Sequence, residues 1–309
     1  MKEMIKKLAE IAWVLLFLLC PPLSAQAGEA IPPEYYLTEK VGGIVEARYR
    51  DRGRYETESY VMSKGENAYL GYRYKVWLPK DEGAKQFPLV IMVNGTGSSC
   101  DLDEPLYEHL ASWGFVVAGN TDPNTALGHT AGYTLALALR ESETPGSLLY
   151  NKIDRNHIGL YGFSQGGPGA IHALLYRQGK GLYKTMVTVS AVTRSLTERL
   201  PLPSWRYDTR DIAIPYFMVA STGVTDRRVI APLEEMEENF DALPSSLFSV
   251  MARRKQADHT TVQAGADGYI TAWFCWQLKD DRFAAEAFTG EKQEIFHNPL
   301  WENVKRKGA

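Results

Sequence analysis

The chain has 309 residues, 45% of them hydrophobic and 23% charged, which is the make-up of an ordinary globular protein with room for one large α/β domain or two small ones. A formal net charge of −3 excludes the strongly basic balance of a nucleic-acid-binding protein, so no nucleic-acid partner is expected.

At the N-terminus Lys2, Lys6 and Lys7 precede an apolar run from Ile11 to Leu19, then Pro21-Pro22 and Ala25-Gln26-Ala27. A basic segment, a short apolar segment and an Ala-x-Ala cleavage site read as a secretory signal peptide over residues 1–27. The apolar run is too short to span a bilayer, so no stable membrane span is expected once the leader is removed. Leu19 before Cys20 is bulky where a lipoprotein signal carries a small residue. The expectation is an exported protein, periplasmic or secreted. Its two remaining cysteines, Cys100 and Cys275, fit either a disulfide or two buried thiols, and the sequence leaves both open.

From Val41 to Leu78 the pattern predicts antiparallel strands at 41–50, 55–62 and 68–78. Phe87–Val93 is a continuous apolar run, as in a strand buried on both faces. Helical spacing over Leu106–Trp113, a strand at Phe115–Ala118 and a helix over Ala126–Leu139 follow. An apolar strand from Ile158 then stops at Gly162-Phe163-Ser164-Gln165-Gly166, with a helical stretch, Ala170–Leu175, directly after it. Further strands are predicted at Thr185–Val189, Ile214–Ala220 and Leu247–Met251, and helices at Leu233–Leu243 and Tyr269–Leu278. Strands alternating with helices predict an α/β fold, a mostly parallel sheet with helices on both faces and an antiparallel edge. No internal repeat or low-complexity linker interrupts residues 28–309, so one domain is the simplest reading. Only the short polar stretch Ser195–Asp211 separates two of the strands, which leaves no room for a large cap domain and implies an open active site.

Gly162–Gly166 has the G-x-S-x-G pattern of a nucleophile elbow, in the strand–turn–helix context the motif requires. A serine hydroxyl becomes a nucleophile when it is held clear of its backbone with a base beside it. The helix after it points N–H groups and a positive dipole end at a developing oxyanion. Pro168 falls in the first helical turn, where its missing N–H costs nothing.

Hydrolases of this topology order the triad as serine, acid, histidine. Only His259 and His297 follow the elbow far enough to leave room for an acid; His259 sits in a loop after a strand, and His297 lies in the tail beside Asn298-Pro299 with no strand leading to it. Asp226 follows the strand Ile214–Ala220 by a short turn, at the edge of the sheet where Ser164 lies. Asp208 and Asp211 precede that strand, Glu234, Glu235, Glu237 and Glu238 form a solvated helix face, and Asp258 is too near His259 in sequence to bond the same imidazole. Ser164, Asp226 and His259 are therefore the candidate triad, with Asp226 fixing the tautomer of His259. The candidate oxyanion donors are the backbone N–H groups of Gln165 and of Thr96, in the loop Asn94-Gly95-Thr96-Gly97. Trp205, Tyr207 and the loop Asn120–Asn124 are candidates for a pocket wall or for core.

With these residues assembled, the chain resembles the α/β-hydrolase superfamily, especially its bacterial cutinase-like and dienelactone-hydrolase-like esterases. The resemblance covers roughly Tyr72–Leu278 and rests on VNGTG at 93–97, GFSQGG at 162–167, Asp226 and Ala257-Asp258-His259. It implies hydrolysis of carboxylic esters by an exported enzyme, with no cofactor and no metal. One departure is Gln165, where many polyester-degrading relatives carry methionine. A small or polymeric ester substrate, a peptidase or acyltransferase on the same triad, and a non-catalytic binding protein of the same fold remain as alternatives.

Overall fold

The computed structural model describes residues 30–65, 68–81, 83, 85–199 and 203–308. The expected leader, residues 1–27, and Cys20 lie outside the described residues.

A nine-stranded sheet organises the chain, in the order β1-β2-β4-β3-β5-β6-β7-β8-β9. Strands β1 (Thr57–Ser63) and β2 (Tyr74–Pro79) form an antiparallel edge that joins β4 (Val116–Asn120), again antiparallel. From β4 through β3 (Phe87–Val93), β5 (Ile153–Phe163), β6 (Tyr183–Val189) and β7 (Tyr216–Ser221) to β8 (Ser249–Arg254) every pairing is parallel. Strand β9 (Trp301–Lys307) closes the other edge antiparallel to β8. All seven residues of β3 are buried, as its unbroken apolar run dictates for an inner strand. Its Pro88, which cannot donate to a ladder, sits where the β3–β5 register shifts.

The period-two alternation of the strands sorts the core into two layers. Val90, Met92, Val117, Val187 and Phe217 face one side, packed with Val45 and Tyr49 of helix α1 (Ile44–Arg50), Leu106 and Leu110 of α2 (Glu104–Ser112) and the aromatic ladder of α7 (Val262–Lys279). Leu89, Ile91, Leu160, Met186 and Met218 face the other, against Leu135 of α3 (His129–Glu143), Ile171 of α4 (Gly166–Tyr176) and Phe240 of α6 (Leu233–Ala242). Between β6 and β7 the described residues hold a six-residue helix, α5 (Arg194–Arg199), and two single turns, with no cap domain among them.

Two expectations are corrected. Residues 44–50 are helical rather than a strand: Gly43 is the N-cap, and the orphan N–H groups of Val45 and Glu46 donate to Glu294 at 2.8 and 3.0 Å. The antiparallel edge therefore has two strands where three were expected. Helix α7 starts at Val262, seven residues before the expected Tyr269. Of the two states the sequence left open for Cys100 and Cys275, the structure shows two free, buried thiols.

Candidate active site

The loops after β3, β4, β5, β6, β7 and β8 meet at the C-terminal edge of the parallel strands, where ligands bind in open α/β sheets. At the end of β5, Ser164 takes a left-handed backbone with φ 53°. Its N–H donates to Val189 O at 2.9 Å, and the chain turns at once into α4. The turn is so tight that a Cβ on Gly162 would lie 2.2 Å from Gly166 O, and one on Gly166 would lie 2.1 Å from Val93 O. Any other residue at either position would force the backbone apart.

His259 lies five residues beyond the end of β8. Its Nε2 is 3.0 Å from Ser164 Oγ and its Nδ1 is 2.6 Å from Asp226 Oδ1. The ring stacks at a tilt on Phe163, with centroids 5.0 Å apart. Asp258, excluded above as the acid, instead shapes the loop: its carboxylate accepts from the N–H groups of His259 and Thr225. Asp226 opens a wide π-type turn, Asp226–Ile230, a form recurrent at functional positions. The carboxylate is fully buried and carries four donors: His259 on Oδ1, and the hydroxyls of Ser190 and Ser221 with the N–H of Ser221 on Oδ2. Burial alone pushes this carboxyl up, but the hydrogen bond and charge of His259, joined by the two hydroxyls, outweigh it and hold Asp226 below the usual carboxylate range.

The backbone N–H groups of Gln165 and Thr96 donate to no other group among the described residues. The Gln165 side chain joins their loops, since its Nε2 donates to Thr96 Oγ1 at 2.7 Å and its Oε1 accepts from Ala126 N–H at 3.1 Å. The loop Asn120–Asn124 braces the Thr96 loop. Asn94 Nδ2 donates to the carbonyls of Asn120 and Asp122, and Gly97 N–H donates to Pro123 O. Tyr207 is core: it is buried, and its hydroxyl donates to Val192 O. Trp205 packs beside Val192, Leu196 and Ile230.

All five residues singled out in the sequence therefore meet at one edge, while His297 is exposed in the short helix Glu294–His297, away from them. Sequence reasoning missed Ser190, Ser221 and the side-chain role of Gln165. The only available signal for the two serines was their place at the ends of strands. Among the described residues no group of three or more His, Cys, Asp or Glu side chains is arranged to hold a metal, and no helix is long and apolar enough to cross a membrane. Compared with known proteins, the chain matches no family model and no curated sequence.

Proposed function

We propose that this chain is an exported serine esterase of the α/β-hydrolase fold. The observation that carries the reading is the His259 imidazole, seated 3.0 Å from the hydroxyl of a left-handed, elbow-borne serine and 2.6 Å from a buried carboxylate. A binding protein has no use for that combination. The strand order 1-2-4-3-5-6-7-8 within the sheet supports the fold assignment, and the leader pattern of residues 1–27 supports export.

The chemistry follows from the geometry. Ser164 Oγ attacks the ester carbonyl carbon as His259 Nε2 takes its proton. Negative charge gathers on the former carbonyl oxygen, and the N–H groups of Gln165 and Thr96 are preorganised to receive it. Asp226 keeps the Nδ1 proton in place and stabilises the imidazolium. As the tetrahedral intermediate collapses, the C–O bond to the alcohol breaks and His259 protonates the leaving oxygen. Water, deprotonated by the same imidazole, then releases the acid and restores Ser164. The test is hydrolysis of p-nitrophenyl acetate and butyrate beside Ser164→Ala. Wild-type turnover that falls by about 10⁴-fold or more in the variant is expected; equal turnover in both would refute the assignment.

A further inference from the structure

The loop after β6 does something the elbow, acid and histidine loops do not explain. Ser190 immediately follows β6, is fully buried and has φ 44°, in the left-handed region that a non-glycine residue enters at a cost. Glycine would adopt this backbone freely. The serine side chain is instead aimed at the site, and its hydroxyl donates to Asp226 Oδ2. The strained backbone is pinned on both sides. Ser190 N–H donates to Val219 O at 2.7 Å, the preceding Val189 O accepts from Ser164 N–H, and Val192 N–H donates back to Ser164 O at 3.2 Å. One four-residue turn thus touches the nucleophile through its backbone and the acid through its side chain.

On the reading of the site as a serine hydrolase, we infer that Ser190 is a positioning residue for Asp226, kept as serine against the local backbone preference because its hydroxyl orients the carboxylate toward His259. Asp226 Oδ2 is held by Ser190 and Ser221, which leaves Oδ1 to face the imidazole. Without Ser190, one of three donors on Oδ2 is lost. The carboxylate then has a rotational freedom it lacks now, and its charge is less dispersed. The other charged groups acting on this carboxylate are His259 from the β8–α7 loop and Arg253 from β8, whose guanidinium donates to Ser221 O and interacts favourably with Asp226; Arg227 follows it in the same turn.

Activity and stability separate at this position, because glycine removes the hydroxyl and relieves the backbone together. Ser190→Gly and Ser190→Ala are compared with wild type in kcat, KM, thermal midpoint and the pH dependence of kcat/KM on p-nitrophenyl butyrate. In Ser190→Gly, kcat is expected to fall roughly tenfold with KM little changed, as one charge-assisted hydrogen bond in a set would give. The acid limb of the profile should move to higher pH by up to about one unit, since a carboxylate with fewer donors holds the shared proton of the Asp–His pair more tightly. The midpoint should stay at or above the wild-type value. Ser190→Ala should share the kinetic defect but melt lower, because it keeps the strain. Unchanged kcat and acid limb in both folded variants would overturn the inference, as would activity lost only in proportion to folded protein with the pH profile intact. A wild type that hydrolyses no ester and whose Ser164 ignores a fluorophosphonate would overturn it together with the proposed function, whereas normal wild-type turnover beside silent Ser190 variants would sink the positioning role alone.

Discussion

Gln165 has two roles at one position. Its N–H is a proposed oxyanion donor, and its side chain ties the other donor loop to Ala126. Buried amide hydrogen bonds of this kind act less through their net energy than through what is stranded when they are lost. Gln165→Met, with a similar volume and no polar head, keeps the backbone donor but releases Thr96 and leaves Ala126 N–H buried without a partner. The expected result is a kcat lowered about tenfold, less than the 10²–10³-fold loss that follows outright removal of an oxyanion donor. Steady-state kinetics on p-nitrophenyl butyrate reads it directly. An unchanged kcat would mean that the loop after β3 holds its shape without the clamp. The elbow motif made the main-chain role legible, whereas the side-chain role depends on Thr96, which lies 69 positions away.

At the scale of elements, the elbow depends on two glycines where the backbones of β5, α4 and β3 nearly touch. A methyl group on Gly162 meets Gly166 O at 2.2 Å, so Gly162→Ala has to push α4 off the end of β5 and carry Ser164 away from His259. If the proposed esterase function holds, turnover should fall by at least 100-fold, since a displacement of about 1 Å costs on that order. The melting temperature should fall as well. Retained turnover would show that the turn can relax without moving the nucleophile. Two other elements explain why the sequence misled. Residues 44–50 show alternate apolar positions, Val45, Ala47 and Tyr49, yet they fold as a helix because Glu294 supplies its N-terminal acceptors from 248 and 249 residues away. Strand β9, with Lys305, Arg306 and Lys307, carried no apolar signal. Its charge suits an edge strand that must not pair with a further chain.

Across the whole molecule, the loop after β3 and the helix behind the His259 loop are joined through a buried carboxyl. Ser98 Oγ donates to Asp103 Oδ2 at 3.0 Å, Gln263 Nε2 approaches Oδ1 at 3.4 Å, and Gln263 Oε1 accepts from Tyr161 of β5 at 2.7 Å. Burial dominates over these donors and pushes the Asp103 carboxyl up to about 6. Because the folded value lies above the unfolded one, the contribution of this group to stability is complete in acid. It is then lost as pH rises from about 4 through about 6. Asp103→Asn should therefore stabilise the protein at pH 7.5 by about 1–3 kcal/mol, with the gain shrinking toward pH 4. Denaturant unfolding at several pH values would show it, and a variant less stable than wild type at pH 7.5 would mean that the ionised form is the one the fold prefers. Burial pushes both cysteine thiols up to about 12, so they stay protonated and unreactive at neutral pH.

By itself the sequence determined what repeats locally or follows from chain order. Apolar runs with period two or 3.6 located eight of the nine strands and the main helices, and the glycines about Ser164 marked a turn no other residues would tolerate. Chain order and strand ends singled out Asp226 and His259, because residues just past parallel strands emerge at one edge of the sheet. Only the tertiary structure decided what depends on partners remote in sequence: that Cys100 and Cys275 stay apart, that residues 44–50 coil, that Gln165 reaches Thr96, and that the hydroxyl of a strained Ser190 lands on Asp226. The physical reason is common to all four. A hydrogen bond or cap acts over about 3 Å and leaves no periodicity in the chain, so it becomes visible only when folding brings its two ends together.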